Sequence, residues 1–369
     1  MATPYRFNIT AADTGLLKVK QDDAAATRLT ELLQQDLELL TLYGTGSTAE
    51  GLSKAYDQNK TYQLPARKPS TSTADSLSNW SANAAPLLGN DAHYADFLLY
   101  FQRAIDEKGW QAVVADHLLG DSPACLDMLG RLCAGFYHPA IQLMYGMEWE
   151  QPALVAEGLA QAAVHDARVA DLMREVDEAA KTRDEVAVQS LPALLEGIRE
   201  QQPKLAASAR WEDPNRIFDG VLARARPEAV ALLAGIRVRP DELEEKTAEM
   251  IHTAAYVAAA ASWNPPYTPK YDFFLLHHLT ASPLFLTLNK LPTITTTAKA
   301  RLLTWKIRMD IIGYLARGCP PLRRSDTLPV PAGVKRAGDL LPRFREIVDD
   351  GHVIKVVRSL LLAEEVSGR

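Results

Sequence analysis

Cysteine is scarce in this chain: 369 residues hold three, Cys125, Cys133 and Cys319. Their scattered spacing excludes a disulfide framework and a thiolate-based zinc site. Basic blocks are missing as well, with 40 Lys and Arg against 46 Asp and Glu, a net charge of −6 and a pI near 5.8. Without a basic patch or interleaved basic and aromatic residues, nucleic acid is not an expected partner. No run of about 18 apolar residues occurs, which removes a membrane span. The start, MATPYRFNITAAD, lacks the basic-then-apolar layout of a secretory signal. A soluble, intracellular, cytoplasmic chain is therefore expected. Strand-like alternation is nearly absent, so the expected fold is all-α, with residues 1–369 forming one large multi-helix domain, or two intimate ones, around a buried pocket. Several chemical signatures are also lacking: there is no G-x-x-x-x-G-K-[ST] loop, no H-E-x-x-H, no G-x-S-x-G elbow and no C-x-x-C.

What is present is helical periodicity. From Asp22 to about Leu42, leucines 29, 32, 33, 37 and 40 recur at three- and four-residue spacing. The string at Gly44, Gly46 and Ala49 matches G-x-G-x-x-A. A helix rather than a strand precedes it, so it reads as a helix–helix turn with Ser47 or Thr48 capping the next helix. Residues 65–86 are rich in Ser, Thr, Ala and Pro and read as a long surface connection that covers something. Residues 91–119 return to helical spacing. Residues 166–200 are amphipathic, with Arg174, Glu175, Lys181 and Arg183 on a solvated face. Asp241, directly after Pro240, is placed to cap a helix running to Ser262. Residues 318–342 form a second long loop, and Asp349 or Asp350 caps a last helix with His352 in its first turn.

Chemistry concentrates in Arg131–His165, RLCAGFYHPAIQLMYGMEWEQPALVAEGLAQAAVH. His138 and Pro139 sit in an apolar run. A helix restarting at Pro152 would place His165 on one face with Ala162, Gly158 and Leu154, with Glu148 and Glu157 nearby. A lone imidazole on an apolar face is most often a core residue bonded to a carbonyl. Further imidazoles raise the stakes: His277 and His278 point about 100° apart on a helix, so one of them can face a pocket. Lys306 lies among Leu302, Leu303 and Met309. It either extends out along its own stem, pairs with Asp310, or stays buried and neutral, an amine able to take up carbon dioxide as a carbamate. Dispersed imidazoles facing one another across a helical bundle would suit iron, manganese or zinc.

The order and spacing of several segments resemble the questin oxidase-like proteins of fungal aromatic polyketide pathways. They are TGLLKVKQDDAAATRLTELLQQDLE, YDQNKTYQLP, EKGWQAVVADHLLGD, the AGFYHPAIQLMYGMEWEQ stretch, EKTAEMI, YDFFLLHHLTAS, KARLLTWKIRMD and DDGHVIKVVRS. The resemblance implies an all-helical mono- or dioxygenase acting with O2 on an anthraquinone-like polyketide, by oxidative ring opening or Baeyer–Villiger-type oxygen insertion. It implies His138, His165, His277, His352 and Lys306 as catalytic and metal-binding residues, Lys306 as a carbamate. Tyr137, Gln142, Tyr145 and Trp149 are expected to bind substrate. The cofactors it suggests are Fe(II) and NADPH, although no NADPH-binding motif is recognisable. Two departures stand out. A His- and Asn-rich segment before the LYG turn is missing, and Gln142 stands where relatives carry a second histidine. Three outcomes stay open: a metal held by fewer nitrogens with Asp36 or water filling in, a metal-free enzyme with no cofactor performing a cyclisation, isomerisation or ring opening, or a non-catalytic binding protein. Composition does not fix the oligomeric state.

Overall fold

The computed structural model describes residues 1–33, 38–62, 67–182, 190–322, 332–347 and 349–368. Asp36, Leu37 and Arg183, singled out above, lie outside these residues, as do 65–66 and 323–331 of the two expected long loops. Among the described residues the protein is helical, with no strand beyond an isolated bridge between Thr3 and Arg6. The longer helices, in chain order, are α1 (Asp23–Leu32), α2 (Glu38–Gly44), α3 (Ala49–Asn59), α4 (Tyr94–Lys108), α5 (Pro123–Leu132), α6 (His138–Glu148), α7 (Pro152–Val164), α8 (Arg168–Lys181), α9 (Leu191–Gln201), α10 (Leu222–Ala234), α11 (Leu243–Ala261), α12 (Phe273–Thr280), α13 (Thr296–Ala316) and α14 (His352–Val366). They fall into two compact units, one of residues 1–167 and 331–369, the other of residues 168–330.

In the first unit α6 and α7 form the centre. Every residue of α6 from Pro139 to Met147 is buried, the mark of a helix enclosed on all sides. Two glycines allow the backbones to touch. A Cβ on Gly146 would come within 2.6 Å of the Val155 nitrogen, and one on Gly158 within 2.7 Å of the Leu143 nitrogen. Thr48 caps α3 by accepting from the Gly51 N–H, as the turn chemistry predicts. The segment expected as a long loop at 65–86 carries two short helices, Thr71–Ser76 and Trp80–Asn83, and buries Ala74, Leu77 and Ala84. Its small residues tolerate helical turns wherever one apolar side chain finds a floor.

In the second unit α13 is buried along most of its length. Its apolar residues do not confine themselves to one stripe because packed neighbours cover it on more than one side. Two terminus expectations need correction. Asp241 does not cap the long helix: a 3-10 turn at Pro240–Glu242 precedes α11, and it is the Glu242 carboxylate that accepts from the Arg239 N–H. His165 is not on the face of α7. That helix ends at Val164, and His165 is extended (φ −83°, ψ 164°). Its ring takes over the end of the helix, with Nδ1 2.6 Å from the Gln161 carbonyl, one of the acceptors a helix C-terminus leaves unsatisfied. No helix among the described residues is long and apolar enough to cross a membrane.

Candidate functional site

Phe136 and Tyr137 both adopt left-handed backbone (φ 58° and 63°) immediately before α6. Side chains rarely occupy that region, and the strain it stores clusters at functional positions. Here the pair turns the chain so that His138 becomes the first residue of α6, with Pro139 behind it. His138 keeps part of its surface exposed. Burial of the ring, and then the charges of Lys355, His352 and His165, push its pKa down to about 4. In the first unit a ring nitrogen of His138 lies within 4.8 Å of one of His352, and the His165 ring also acts on His138 by its charge. At neutral pH His138 holds an uncharged ring.

The second nitrogens are anchored in a consistent way. His352 Nδ1 lies 2.6 Å from the Asp350 carboxylate, and His165 Nδ1 bonds the Gln161 carbonyl. In the second unit His277, 2% exposed, places Nδ1 2.5 Å from the Phe273 carbonyl. An imidazole that donates through Nδ1 carries its lone pair on Nε2, and anchoring by a carbonyl or carboxylate is how metal-binding histidines are oriented. The imidazoles therefore fit a divalent iron by tautomer and by donor type.

Lys306 shows a different chemistry. Its Nζ donates to both Asp310 oxygens at 2.5 and 2.6 Å and to the His278 carbonyl at 3.0 Å. Three acceptors match the three donors of an ammonium. Of the alternatives weighed above, pairing with Asp310 is the one observed. Asp310 also accepts from His278 Nδ1 at 2.6 Å. His278 and Asp310 border a small apolar cavity of about 20 Å³ lined by Leu195, Met250, Val257, Leu275 and Ile311. Of the adjacent pair, it is His278 whose ring lines a cavity, and Gly313 permits this: a Cβ there would overlap the ring.

The predicted ring-binding residues are deep in the first unit. Tyr145 is 1% exposed and shares a 2.5 Å hydrogen bond with Thr41. Trp149 is wedged against Gly15 and Gly44 and meets Tyr43 edge-on at 5.6 Å. Tyr137 is buried too. Gln142 donates to the Glu157 carboxylate at 2.5 Å. Burial raises the Glu157 pKa to about 7, and the Gln142 bond offsets part of that rise. Glu148 pairs with Arg358, both 2% exposed at their side chains, and Arg358 lies over the Tyr145 ring at 5.1 Å. Sequence periodicity gave no sign of this ion pair.

Helical throughout its described residues and free of sheet there, the protein belongs among all-α enzymes. The chain is a member of the questin oxidase-like family, whose sequence profile matches residues 36–360. It is 36% identical over 335 residues to a questin oxidase of Aspergillus fumigatus, covering 89% of this chain and 75% of that one. It is 36% identical over 334 residues to the oxidoreductase AflY of Aspergillus parasiticus, covering 89% and 67%. It is 35% identical over 336 residues to the Baeyer-Villiger oxidase ptaJ of Pestalotiopsis fici, covering 89% and 74%.

Proposed function

We propose that this protein is a soluble, cytoplasmic oxidoreductase of fungal secondary metabolism that uses O2 to open, or insert oxygen into, a ring of a flat aromatic polyketide. The observation that carries the proposal is that ring nitrogens of His138 and His352 in the first unit lie within 4.8 Å of each other, with His352 anchored through Nδ1 to Asp350, in a chain similar to named oxidases. His138 and His352 are proposed as ligands of Fe(II), and the resemblance adds His165 and His277 to the set. Bound there, iron would supply a coordination site and electrons for dioxygen. The residues' own work is to orient: Asp350 fixes the His352 tautomer, and the strained Phe136–Tyr137 turn aims His138. NADPH, where oxygen insertion requires two further electrons, enters the proposal from the resemblance alone.

A second interpretation is favoured by the Lys306–Asp310 ion pair, which occupies the lysine that a carbamate ligand would need. It is a metal-free member of the family in which neutral His138 moves a proton during ring opening or isomerisation. One set of measurements separates the two. The oxidase proposal expects iron in the purified protein, O2 uptake with a dihydroxyanthraquinone substrate, and loss of both on His352→Ala. Turnover that consumes no O2 and survives exhaustive chelation would overturn it in favour of the metal-free enzyme.

A further inference from the structure

Away from these imidazoles the first unit contains an open cleft of about 350 Å³, within the size range of small-molecule sites. One wall is the Ser78–Ser81 segment, part of the Ser- and Thr-rich connection that the sequence marks as a cover. The opposite wall is Asp116 and His117 with Ser122, Ala124 and Cys125 at the start of α5. Trp80, within the first wall, and Tyr100 give the cleft its aromatic lining. Trp80 is the hub of an aromatic cluster, with ring centroids of Tyr100 at 5.5 Å, Phe101 at 5.6 Å and His117 at 4.6 Å.

The backbone under His117 is unusual. Residues Ala115–Leu119 form a π-helical turn, a form that appears mostly as single turns and frequently at functional sites. The wider turn turns the Asp116 carbonyl toward α5, where the Cys125 thiol donates to it at 3.0 Å. It also brings His117 Nε2 to 3.2 Å from the Tyr100 hydroxyl. Burial lowers the His117 pKa to about 4 and raises that of Tyr100 to about 12. The pair is consequently uncharged across the physiological range. No Lys or Arg is among the described residues lining the cleft, and the exposed Asp116 carboxylate on its wall pairs with Lys108 at 3.7 Å.

We propose that this cleft is a second ligand site, taking an uncharged, planar, hydroxylated aromatic ring that stacks beside Trp80 and Tyr100 and hydrogen-bonds the Tyr100–His117 pair. Flat aromatic walls favour a planar occupant. Serine and asparagine side chains and the neutral pair offer donors and acceptors for hydroxyl and carbonyl groups. With no cation among the lining residues, an anion finds no partner of opposite charge there. The site does not depend on the oxidase proposal, because its occupancy is read by binding and not by turnover.

The test titrates the full chain with 1,8-dihydroxyanthraquinone by calorimetry and maps the contact by amide hydrogen exchange. Binding is expected to protect peptides spanning 78–82 and 115–125. Ala124→Phe, which fills the cleft, should abolish that protection while leaving the melting temperature unchanged, and Ser78→Tyr serves from the opposite wall should Ala124→Phe fail to fold. Tyr100→Phe should weaken the cleft affinity about tenfold through the lost hydrogen bond. The anionic comparator 2-naphthalenesulfonate should bind the cleft at least about tenfold more weakly. Absence of protection in these peptides, protection that persists in the filled variants, or equal affinity for the sulfonate would each overturn the proposal.

Discussion

Single side chains in this protein set local pH and charge behaviour that can be measured. Glu157 holds its proton up to about pH 7, against 4.5 for an ordinary glutamate. Between those values the folded state binds more protons than the unfolded one, so stability falls as pH rises through that window. Below it the carboxyl costs nothing, and above it the penalty reaches on the order of 3 kcal/mol. Glu157→Gln keeps an acceptor for Gln142 without the charge. Urea midpoints of the variant should be nearly flat from pH 5 to 8 where the parent's decline; parallel curves would refute this origin. Lys306 is 3% exposed and bonded to Asp310. Asp310→Ala should therefore cost about 3–5 kcal/mol by stranding a buried ammonium, whereas Lys306→Met with Asp310→Leu should cost markedly less. In the oxidase proposal Asp350 acts through its neighbour His352, whose Nδ1 it holds at 2.6 Å. Asp350→Ala should lower iron affinity about 10–100-fold by loosening the His352 tautomer, and unchanged affinity by competition with a chelator would remove Asp350 from the proposed site.

Elements add constraints that no side chain carries alone. The contact between α6 and α7 depends on two positions lacking a Cβ, and in each case the neighbouring atom is backbone of the other helix. Alanine would ordinarily favour a helix interior over glycine by about 1 kcal/mol. Here Gly146→Ala and Gly158→Ala should each destabilise by about 1–3 kcal/mol, since the helices must separate; a raised Tm in either variant would show that the backbones yield freely. The same scale explains what the sequence disclosed. Helix existence was legible because leucines and other apolar residues repeat at helical spacing, and the Thr48 cap because its hydroxyl stands at the right offset from α3. His165 was misplaced because periodicity continues through Val164 with no Gly or Pro to stop it. The helix ends there because the ring itself binds the Gln161 carbonyl. His277 and His278 are indistinguishable as sequence neighbours; in the structure His277 bonds the Phe273 carbonyl and His278 the Asp310 carboxylate, with Gly313 on another helix leaving room for the His278 ring.

At the scale of the molecule, residues far apart in sequence must be considered together. The family was legible from ordered segments spread across the chain, yet the first unit is built from residues 1–167 together with the closing segment from 331, which no local pattern announces. Arg358 on α14 and Glu148 at the end of α6 join the two parts through an ion pair almost wholly removed from water. Glu148 also accepts from the Leu16 N–H at 2.8 Å, so one carboxylate ties the lead-in, α6 and α14. Removing only the cation leaves a desolvated negative charge, and Arg358→Met should cost about 3–5 kcal/mol. Glu148→Gln in the Arg358→Met background removes the stranded charge while keeping an acceptor for Leu16, so the double variant should recover a substantial part of the loss. Denaturant unfolding followed in the full chain measures both. If Arg358→Met shifts stability by less than about 1 kcal/mol, comparable to an exposed pair, then α14 is held by its apolar face, with Ile354, Val357 and Leu361 doing the work here assigned to charge.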